Sequence, residues 1–480
     1  MAGALDIDVE LPLIVDLDGA LTVADTLYES FAKLLFERPL AALSVTLRLP
    51  HGRAAFKRAL AARCRLDAAS LPLRADLVTI LRAEKARGRP LHLVSAADQA
   101  IVDAVAAELP LFQSATGSDG TNNLKGLNKL AYLRARFTNG FVYAGDSAAD
   151  LPVFRAARGV VLCDVSSYTA AAVKQARVPV LAAFSRPANL VPAWLRAFRV
   201  HQWAKNLLLF VPLFTGHVFG DLSALAAVAL GFALLCLLSS GTYIMNDLAD
   251  LDADRQHDAK RLRPFASGTL KIAHGLVMAP LMVAAALAGA WLLAPPFALA
   301  LLAYLLLTTA YSFGLKRVPL ADVFAIGMLF TLRIVMGAEI AHLTHSPWLL
   351  SFALAFFISL ALAKRHGEVM RAARVDVDEI IGRGYRGNDW PVTLAFGIGA
   401  GLVSIVIMLL YMTNEAAPSG FYRQTAWLYV IPAIITLWLM RVWLLSNRME
   451  LHDDPVVFAL RDRISLVFGV VAGIAFYFAL

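Results

Sequence analysis

From residue 206 to the C-terminus the chain is a succession of apolar runs separated by short connections that carry most of the charge. A bilayer's hydrocarbon core is about 30 Å thick, so a helix needs roughly 20 apolar residues to cross it. Backbone polar groups in lipid must be satisfied within the segment, which makes helices the natural form of such runs. The runs fall near 207–220, 224–245, 274–293, 295–312, 321–341, 349–363, 393–412, 426–446 and 464–480. They predict an all-α polytopic membrane domain of about nine transmembrane helices over 206–480. Composition agrees: 59% of residues are hydrophobic and 17% charged, against about 25% charged in soluble globules. The net charge of +8 lies mostly between apolar runs, so the partner it implies is a lipid bilayer and not a nucleic acid.

The cations also orient the chain. With the N-terminus inside, the cytoplasmic connections are 246–273, 313–320, 364–392 and 447–463, and they hold the loop lysines and arginines. The opposite connections hold only Arg423. By the positive-inside rule the expected location is a bacterial-type cytoplasmic (inner) membrane, with the C-terminus outside. The N-terminal stretch MAGALDIDVELPLIVDLDG has no basic n-region and does not read as a signal peptide, so the first domain is expected in the cytoplasm. Cys64, Cys163 and Cys236 have no metal-ligand spacing and predict free thiols.

Basic loops orient most membrane proteins, so they say little about chemistry. The acids say more. The segment NDLADLDADRQHDAKRLRPFASG places Asp247, Asp250 and Asp254 directly after an apolar run. Asn246, Asp250 and Asp254 recur every four residues, which stacks them on one helical face. Like charges on adjacent turns near lipid repel and are costly, and a hard divalent cation such as Mg²⁺ relieves them while bridging to substrate phosphates. Lys260 and Arg263 follow at a distance suited to phosphate oxygens. The next charged connections contribute Tyr311, Lys316 and Asp322, then Lys364, Arg365 and Glu368, then Arg383 and Tyr385. For these the alternative of a solvated loop stays open.

This half, from about 195 to 480, resembles the UbiA-type polyprenyl transferase superfamily, in which nine helices surround a central cavity. The resemblance rests on NDxxDxxxD at Asn246–Asp254 and on HQWAKN, with Lys205 and Asn206. Within the superfamily it is most similar to the decaprenyl-phosphate phosphoribosyltransferase branch, on NDLADLDADRQHDAKRLRPFASG, YSFGLKR, LRIVMG and ALAKRHGE. The second acidic DxxxD motif of aromatic-substrate members is missing; Lys316 and Asp322 stand there instead. The resemblance implies transfer of phosphoribose from phosphoribosyl diphosphate to a polyprenyl phosphate. It gives Mg²⁺ to Asn246, Asp250 and Asp254, the last two counted as catalytic together with Asp322. It gives phosphate to Lys260, Arg263, Lys316, Lys364 and Arg365, and a ribose hydroxyl or metal-bound water to Asp322. Lys205, Asn206, Tyr311, Glu368 and Tyr385 are expected to complete substrate binding.

The first 188 residues read differently. LPLIVD, PLHLVS, GFVYAG and ARGVVLCD are short apolar runs between helical stretches, which predicts three or four parallel strands in an α/β fold. Ligands of such sheets sit just after strand ends, and there stand Asp16 and Asp18, Ser95, and Asp146. Asp16 can be a carboxylate nucleophile and Asp18 an acid/base, provided that Gly19 lets the strand turn. Ser95 and Lys125 can hold a transferring phosphoryl group, and Asp16, Asp18 and Asp146 a Mg²⁺ ion. Lys129 is expected on a helix surface, and Asp150 is expected to orient Lys125 or cap a helix.

These motifs resemble the haloacid-dehalogenase-like phosphatases, of phosphoserine-phosphatase-like type, with Ala20 where the family's DxDGT has threonine. The implied fold is a Rossmann-like α/β domain over 1–188 with a helical cap over about 25–88, where Arg48, Arg53 and Arg58 could select a phosphorylated substrate. Residues 189–205 interleave Trp194, Phe198 and Trp203 with Arg196, Arg199 and Lys205, as expected of an interfacial linker. The combined expectation is a bifunctional membrane enzyme. The membrane half makes a polyprenyl-phosphoribose 5-phosphate, and the N-terminal half hydrolyses its 5′-phosphate. Two alternatives stay open: a transferase moving a prenyl group from a prenyl diphosphate to an aromatic or lipid acceptor, with a phosphatase of unrelated substrate, or a phosphatase anchored by a non-enzymatic or transport domain.

Overall fold

The computed structural model describes residues 5–48, 50, 52–119, 121–187, 189–374, 380, 383–451 and 455–480. Parts of the third and fourth charged connections, and the side chain of Arg53, lie outside the described residues. The chain divides into two compact units: Met1–Phe198 with Tyr243–Ala279, and Arg199–Thr242 with Pro280–Leu480.

The first unit is built on six parallel strands: β1 (Leu13–Val15), β2 (Leu91–Asp98), β3 (Ser114–Ser118), β4 (Val142–Gly145), β5 (Gly159–Cys163) and β6 (Val180–Phe184). Their order is β3-β2-β1-β4-β5-β6. Strand alternation sorts the core: Leu13 and Val15 face one cluster with Leu93 and Val161, whereas Ile14 faces the other with Val94 and Val160. The sheet therefore has a hydrophobic core on each face, as parallel sheets require. Four strands were legible as apolar runs. The other two are edge strands, β3 being the small, polar SATGS and β6 only partly buried.

Helices α1 (Thr26–Glu37), α2 (Pro39–Thr46) and α3 (Arg53–Ala61) have a core of their own around Leu34, Val45, Phe56 and Leu60. In contrast, α4 (Ala75–Ala86) places Leu77, Ile80 and Leu81 in the core of the sheet. The helical stretch 25–88 thus splits between cap-like and body helices. α5 (Gln99–Glu108), α6 (Leu127–Arg136), α7 (Leu151–Ala156) and α8 (Ser167–Gln175) alternate with the remaining strands, and α9 (Val191–Ala197) follows β6.

Beyond it come α10 (Val211–Thr215), α11 (Leu222–Ala249), α12 (Leu251–Gln256), α13 (Ile272–Leu293), α14 (Pro295–Phe313), α15 (Ala321–Ile340), α16 (Pro347–Arg374), α17 (Trp390–Tyr411), α18 (Val430–Asn447), α19 (Pro455–Arg461) and α20 (Arg463–Ala479). Among the described residues seven helical stretches are long and apolar enough to cross a membrane: α11, α13, α14, α15, α16, Gly387–Ser419 around α17, and Thr425–Asn447 around α18. The chain is an integral membrane protein.

Two of the nine expected runs take another form. The first is a 3₁₀ helix over Val200–Phe210 that passes into the five-residue α10 at Pro212; proline has no N–H to continue the tighter ladder but suits an α-helix's first turn. The last, α20, has 17 residues. The Pro295–Pro296 pair starts α14 after Ala294 leaves the helical region. In the second unit, Gly337 of α15 lies so close to the 3₁₀ helix that a Cβ would sit 2.0 Å from the Leu209 carbonyl oxygen, a backbone approach that only glycine permits.

Candidate active sites

The strand order reverses between β1 and β4, and their carboxyl ends are where an open parallel sheet binds ligands. Asp16 follows β1, with its N–H bonded to the Ala144 carbonyl at 2.9 Å, and Asp146 follows β4. Asp150 lies at the end of the next 3₁₀ turn. One carboxylate oxygen from each of Asp16, Asp146 and Asp150 falls within 4.8 Å of the others. Gly19 makes this possible: it adopts φ +74°, and a Cβ there would meet the Asp146 Oδ2 at 2.0 Å. The metal triplet from sequence was Asp16, Asp18 and Asp146; the structure puts Asp150 in the group and leaves Asp18 beside it.

The lysine at this cluster is Lys129 of α6, on a buried face with Leu130 and Leu133. Its Nζ donates to Asp16 Oδ2 at 2.6 Å and to the Tyr143 hydroxyl at 2.9 Å, and lies 3.5 Å from Asp150 Oδ1. Lys129 was expected on a helix surface and Lys125 at the phosphoryl group. The correction is that α6 begins only at Leu127, so Lys129 is the one carried on the helix's inward face. Lys125 lines the same cavity without a hydrogen bond to Asp16.

The cavity over these groups has a volume of about 470 Å³. Its polar floor includes Asp16, Asp18, Ser95 and Asp146, and the cap-like helices contribute Tyr28, Phe31, Phe56 and Lys57. Ser95 is fully buried, and its hydroxyl accepts the Ala97 N–H at 3.1 Å. Asp18 accepts the Thr26 N–H at 2.8 Å, tying it to the start of α1. The cap cation at the cavity is Lys57, which sequence reading passed over; Arg48 and Arg58 are exposed, and the Arg53 side chain is outside the described residues.

Burial dominates the electrostatics. It pushes the Asp146 carboxyl up to about 8, with the charges of Asp16 and Asp150 adding to it. It pushes Asp18 up to about 6, reinforced by Asp25. Burial alone would lower Lys129, but the carboxylates of Asp16 and Asp150 outweigh it and hold the amine above its usual range. Three crowded oxygen donors that resist joint ionisation are a suitable set for a hard cation such as Mg²⁺.

The acidic segment belongs to the same unit. α11 ends at Ala249 and α12 begins at Leu251, yet the helical ladder carries across: the Asp250 N–H bonds the Asn246 carbonyl at 3.0 Å and the Asp254 N–H bonds the Asp250 carbonyl at 2.8 Å. Asn246 and Asp250 are half-buried, whereas Asp247 and Asp254 are buried. Arg263 donates to both buried acids, at 3.1 Å to Asp247 Oδ1 and 2.7 Å to Asp254 Oδ2. Arg263 was expected on phosphate, but here it neutralises carboxylates, because two buried acids need a counter-charge. Burial still pushes Asp254 up, against Arg263. Lys260 is exposed. The remaining positions of the segment hold the α/β part: Asp252 accepts from Lys33 at 2.7 Å, and Arg255 makes a two-pronged pair with Glu29 of α1, at 2.8 Å to Oε2.

In the second unit the expected substrate residues fall into two clusters. Asn206 is buried, accepts from Arg333 Nε at 3.0 Å and donates to Cys236 Sγ at 3.3 Å; Arg333 also donates to the Tyr304 hydroxyl at 2.8 Å. Arg333 and Tyr304 were not singled out by sequence, although a lone arginine inside an apolar run is a signal in itself. In the other cluster Asp322 is fully buried, accepting from Arg365 Nε at 2.7 Å and from the Tyr385 hydroxyl at 2.7 Å. Arg365 also pairs with Glu368. Asp322 and Arg365 were assigned to ribose and phosphate. Spent on each other in a buried pair, they are placed to position their helices instead. Lys316 and Lys364 are half-buried, Lys205 lies 5.9 Å over the Phe330 ring, and Tyr311 accepts from Arg383 at 2.9 Å.

The chain is similar to several known proteins. The uncharacterized protein y4nM of Sinorhizobium fredii is 46% identical over 473 residues, covering 98% of this chain and 92% of its own. Nodulation protein NoeC of Azorhizobium caulinodans is 30% identical over 288 residues, 59% of this chain and 92% of its own. Decaprenyl-phosphate phosphoribosyltransferase of Mycobacterium tuberculosis is 33% identical over 192 residues, 39% of this chain and 64% of its own. Residues 208–467, more than half of the chain, match one family along their whole course. The chain belongs to the UbiA prenyltransferase family.

Proposed function

We propose that the protein is a bifunctional membrane enzyme that transfers 5-phosphoribose from phosphoribosyl diphosphate to a polyprenyl phosphate and then removes the 5′-phosphate from the product. The observation that carries this reading is that one compact unit holds both the Asp16–Asp146–Asp150 cluster and the acidic segment Asn246–Asp254. The likeness to decaprenyl-phosphate phosphoribosyltransferase supports the donor and acceptor.

In the transfer, an oxygen of the acceptor phosphate attacks the anomeric carbon and diphosphate leaves. Mg²⁺ held by Asn246, Asp250 and Asp254 would neutralise charge on that leaving group. Lys260 takes phosphate oxygens, and Arg263 holds Asp247 and Asp254 in place by hydrogen bonds. Within the second unit, Lys316 and Lys364 would meet phosphate and Lys205, Asn206 and Tyr311 the acceptor, while Asp322, Arg365, Glu368 and Tyr385 hold their helices.

In the hydrolysis, Asp16 attacks phosphorus and Asp18 protonates the departing sugar oxygen, a role suited to a carboxyl held near 6. Lys129 and Ser95 receive the phosphoryl oxygens. A second Mg²⁺ at Asp16, Asp146 and Asp150 would offset their charge. In the membrane, the 3₁₀ segment with α10, and α20, join the seven long helices as crossings, for nine in all. Residues 1–188 would then be on the cytoplasmic side of a bacterial-type inner membrane.

The test is to incubate the full chain in detergent with Mg²⁺, a polyprenyl phosphate and phosphoribosyl diphosphate, and to read products by mass. Ribosylated lipid is expected; turnover of a prenyl diphosphate onto an aromatic acid, without ribosyl transfer, would replace this reading. Asp16→Asn should make the 5′-phosphorylated product accumulate.

A further inference from the structure

The space at Asp16 continues past the carboxylates. A second cavity, of about 650 Å³, shares Asp18, Asp25, Tyr28, Asp146 and Ser147 with the first and runs on to Lys271 and His274. Its far wall is the turn after the acidic segment and the first turn of α13, from Phe265 to His274. This wall is tightly built against the α/β part. Gly268 adopts φ +73°, and a Cβ there would lie 2.3 Å from Val23 Cγ2. Trp194 meets the Phe265 ring edge-on at 6.2 Å between centroids, and Arg186 donates to the Val23 carbonyl at 2.7 Å.

The lining is polarised. At one end stands the carboxylate cluster that takes a cation and a phosphoryl group. At the other, Lys271 and His274 are exposed, and their side chains make no hydrogen bond or ion pair among the described residues. Arg186, between them, is already neutralised by Asp164 at 2.6 Å. Ile272 begins the 22-residue apolar helix α13 at the same end. A ligand matching both ends has a terminal phosphomonoester, a polar spacer, a second phosphate and then an apolar tail.

We propose that the second cavity recognises the bridging phosphodiester of a lipid-linked sugar phosphate through Lys271 and His274, so that the terminal phosphomonoester reaches Asp16. This rests on the phosphatase reading above and adds which part of the substrate decides selectivity. The reaction leaves the diester intact: the monoester P–O bond breaks as the Asp16 O–P bond forms, and the sugar oxygen takes a proton from Asp18. Water then cleaves the aspartyl phosphate, releasing inorganic phosphate.

The experiment uses the full chain in detergent and two matched substrates, a short-chain prenyl-phosphoribose 5-phosphate and ribose 5-phosphate itself. Phosphate release gives kcat/KM for each, and the ratio of the two is read. Lys271→Glu and His274→Glu should each lower that ratio about tenfold or more, the scale of one charge-assisted hydrogen bond, and Lys271→Arg should restore most of it. A role only in folding lowers both substrates together; a ratio that stays within about twofold in both variants overturns the site. Release from neither substrate by the unmodified chain sinks the phosphatase reading itself, and the site with it.

Discussion

A lysine amine 2.6 Å from one carboxylate and 3.5 Å from another, with its side chain 1% exposed, is held as a cation by its surroundings. Under the proposed hydrolysis, Lys129 would meet the charge of the transferring phosphoryl group. Lys129→Ala should lower phosphomonoesterase kcat by about 10²–10³, the loss typical when one preorganised donor is removed. Lys125→Ala should cost less than about tenfold, and equal losses in the two variants would contradict the assignment. Asp146 makes a second prediction. Its carboxyl titrates at about 8 in the folded chain without metal, against about 3.9 unfolded. Between those values the folded state holds a proton that the unfolded state has released, so metal-free stability falls as pH rises through this window. Mg²⁺ binding to the ionised group opposes the loss. Protection of β1 and β4 from hydrogen exchange should drop from pH 6 to pH 8 in chelator, and recover with Mg²⁺ more at pH 8. Asp146→Asn should remove the recovery, and recovery independent of pH would contradict this.

Among the elements, α1 and α12 are joined by two ion pairs of unlike strength. Arg255 and Glu29 are buried, with side chains 6% and 2% exposed, whereas Lys33 and Asp252 are 24% and 33% exposed. Breaking a buried pair strands a charge at a cost of about 3–5 kcal/mol; an exposed pair contributes about 0–1 kcal/mol. Arg255→Ala should thus raise hydrogen exchange across Thr26–Glu37 strongly, and Lys33→Ala only slightly. Comparable effects would mean that the two pairs are solvated alike. The same contacts account for two of the charges in and beside the acidic segment. Asn246 and Asp250 are left half-buried, while Asp252 and Arg255 grip the cap-like helix.

For the whole molecule the open quantity is orientation. The three native cysteines are buried, so introduced thiols can be labelled cleanly. Ala259 and Ser419 are exposed; the first follows the candidate crossing α11 and the second ends the stretch around α17. In intact cells an impermeant maleimide should label Ser419→Cys, and Ala259→Cys only after permeabilisation. The reverse pattern would invert the proposed topology.

What the amino-acid order determined by itself is what depends on local length and local chemistry. Lipid demands helices of about 20 apolar residues, so the seven candidate crossings among the described residues are legible without any tertiary information, and of the nine apolar runs only the segment at Pro212 and the short α20 depart from that form. Alternating apolar strands and helices likewise required a parallel α/β sheet, though not its edge strands: SATGS carries no hydrophobic signal. Tertiary structure alone decided which charged groups meet. Asp16 and Asp146 converge because β1 and β4 are neighbours at the reversal of strand order. Lys129 replaces Lys125 because it occupies the buried face of α6. Asp322 and Arg365 close on each other because α15 packs on α16. Such pairings are fixed by long-range packing, and residue spacing along the chain carries no record of it.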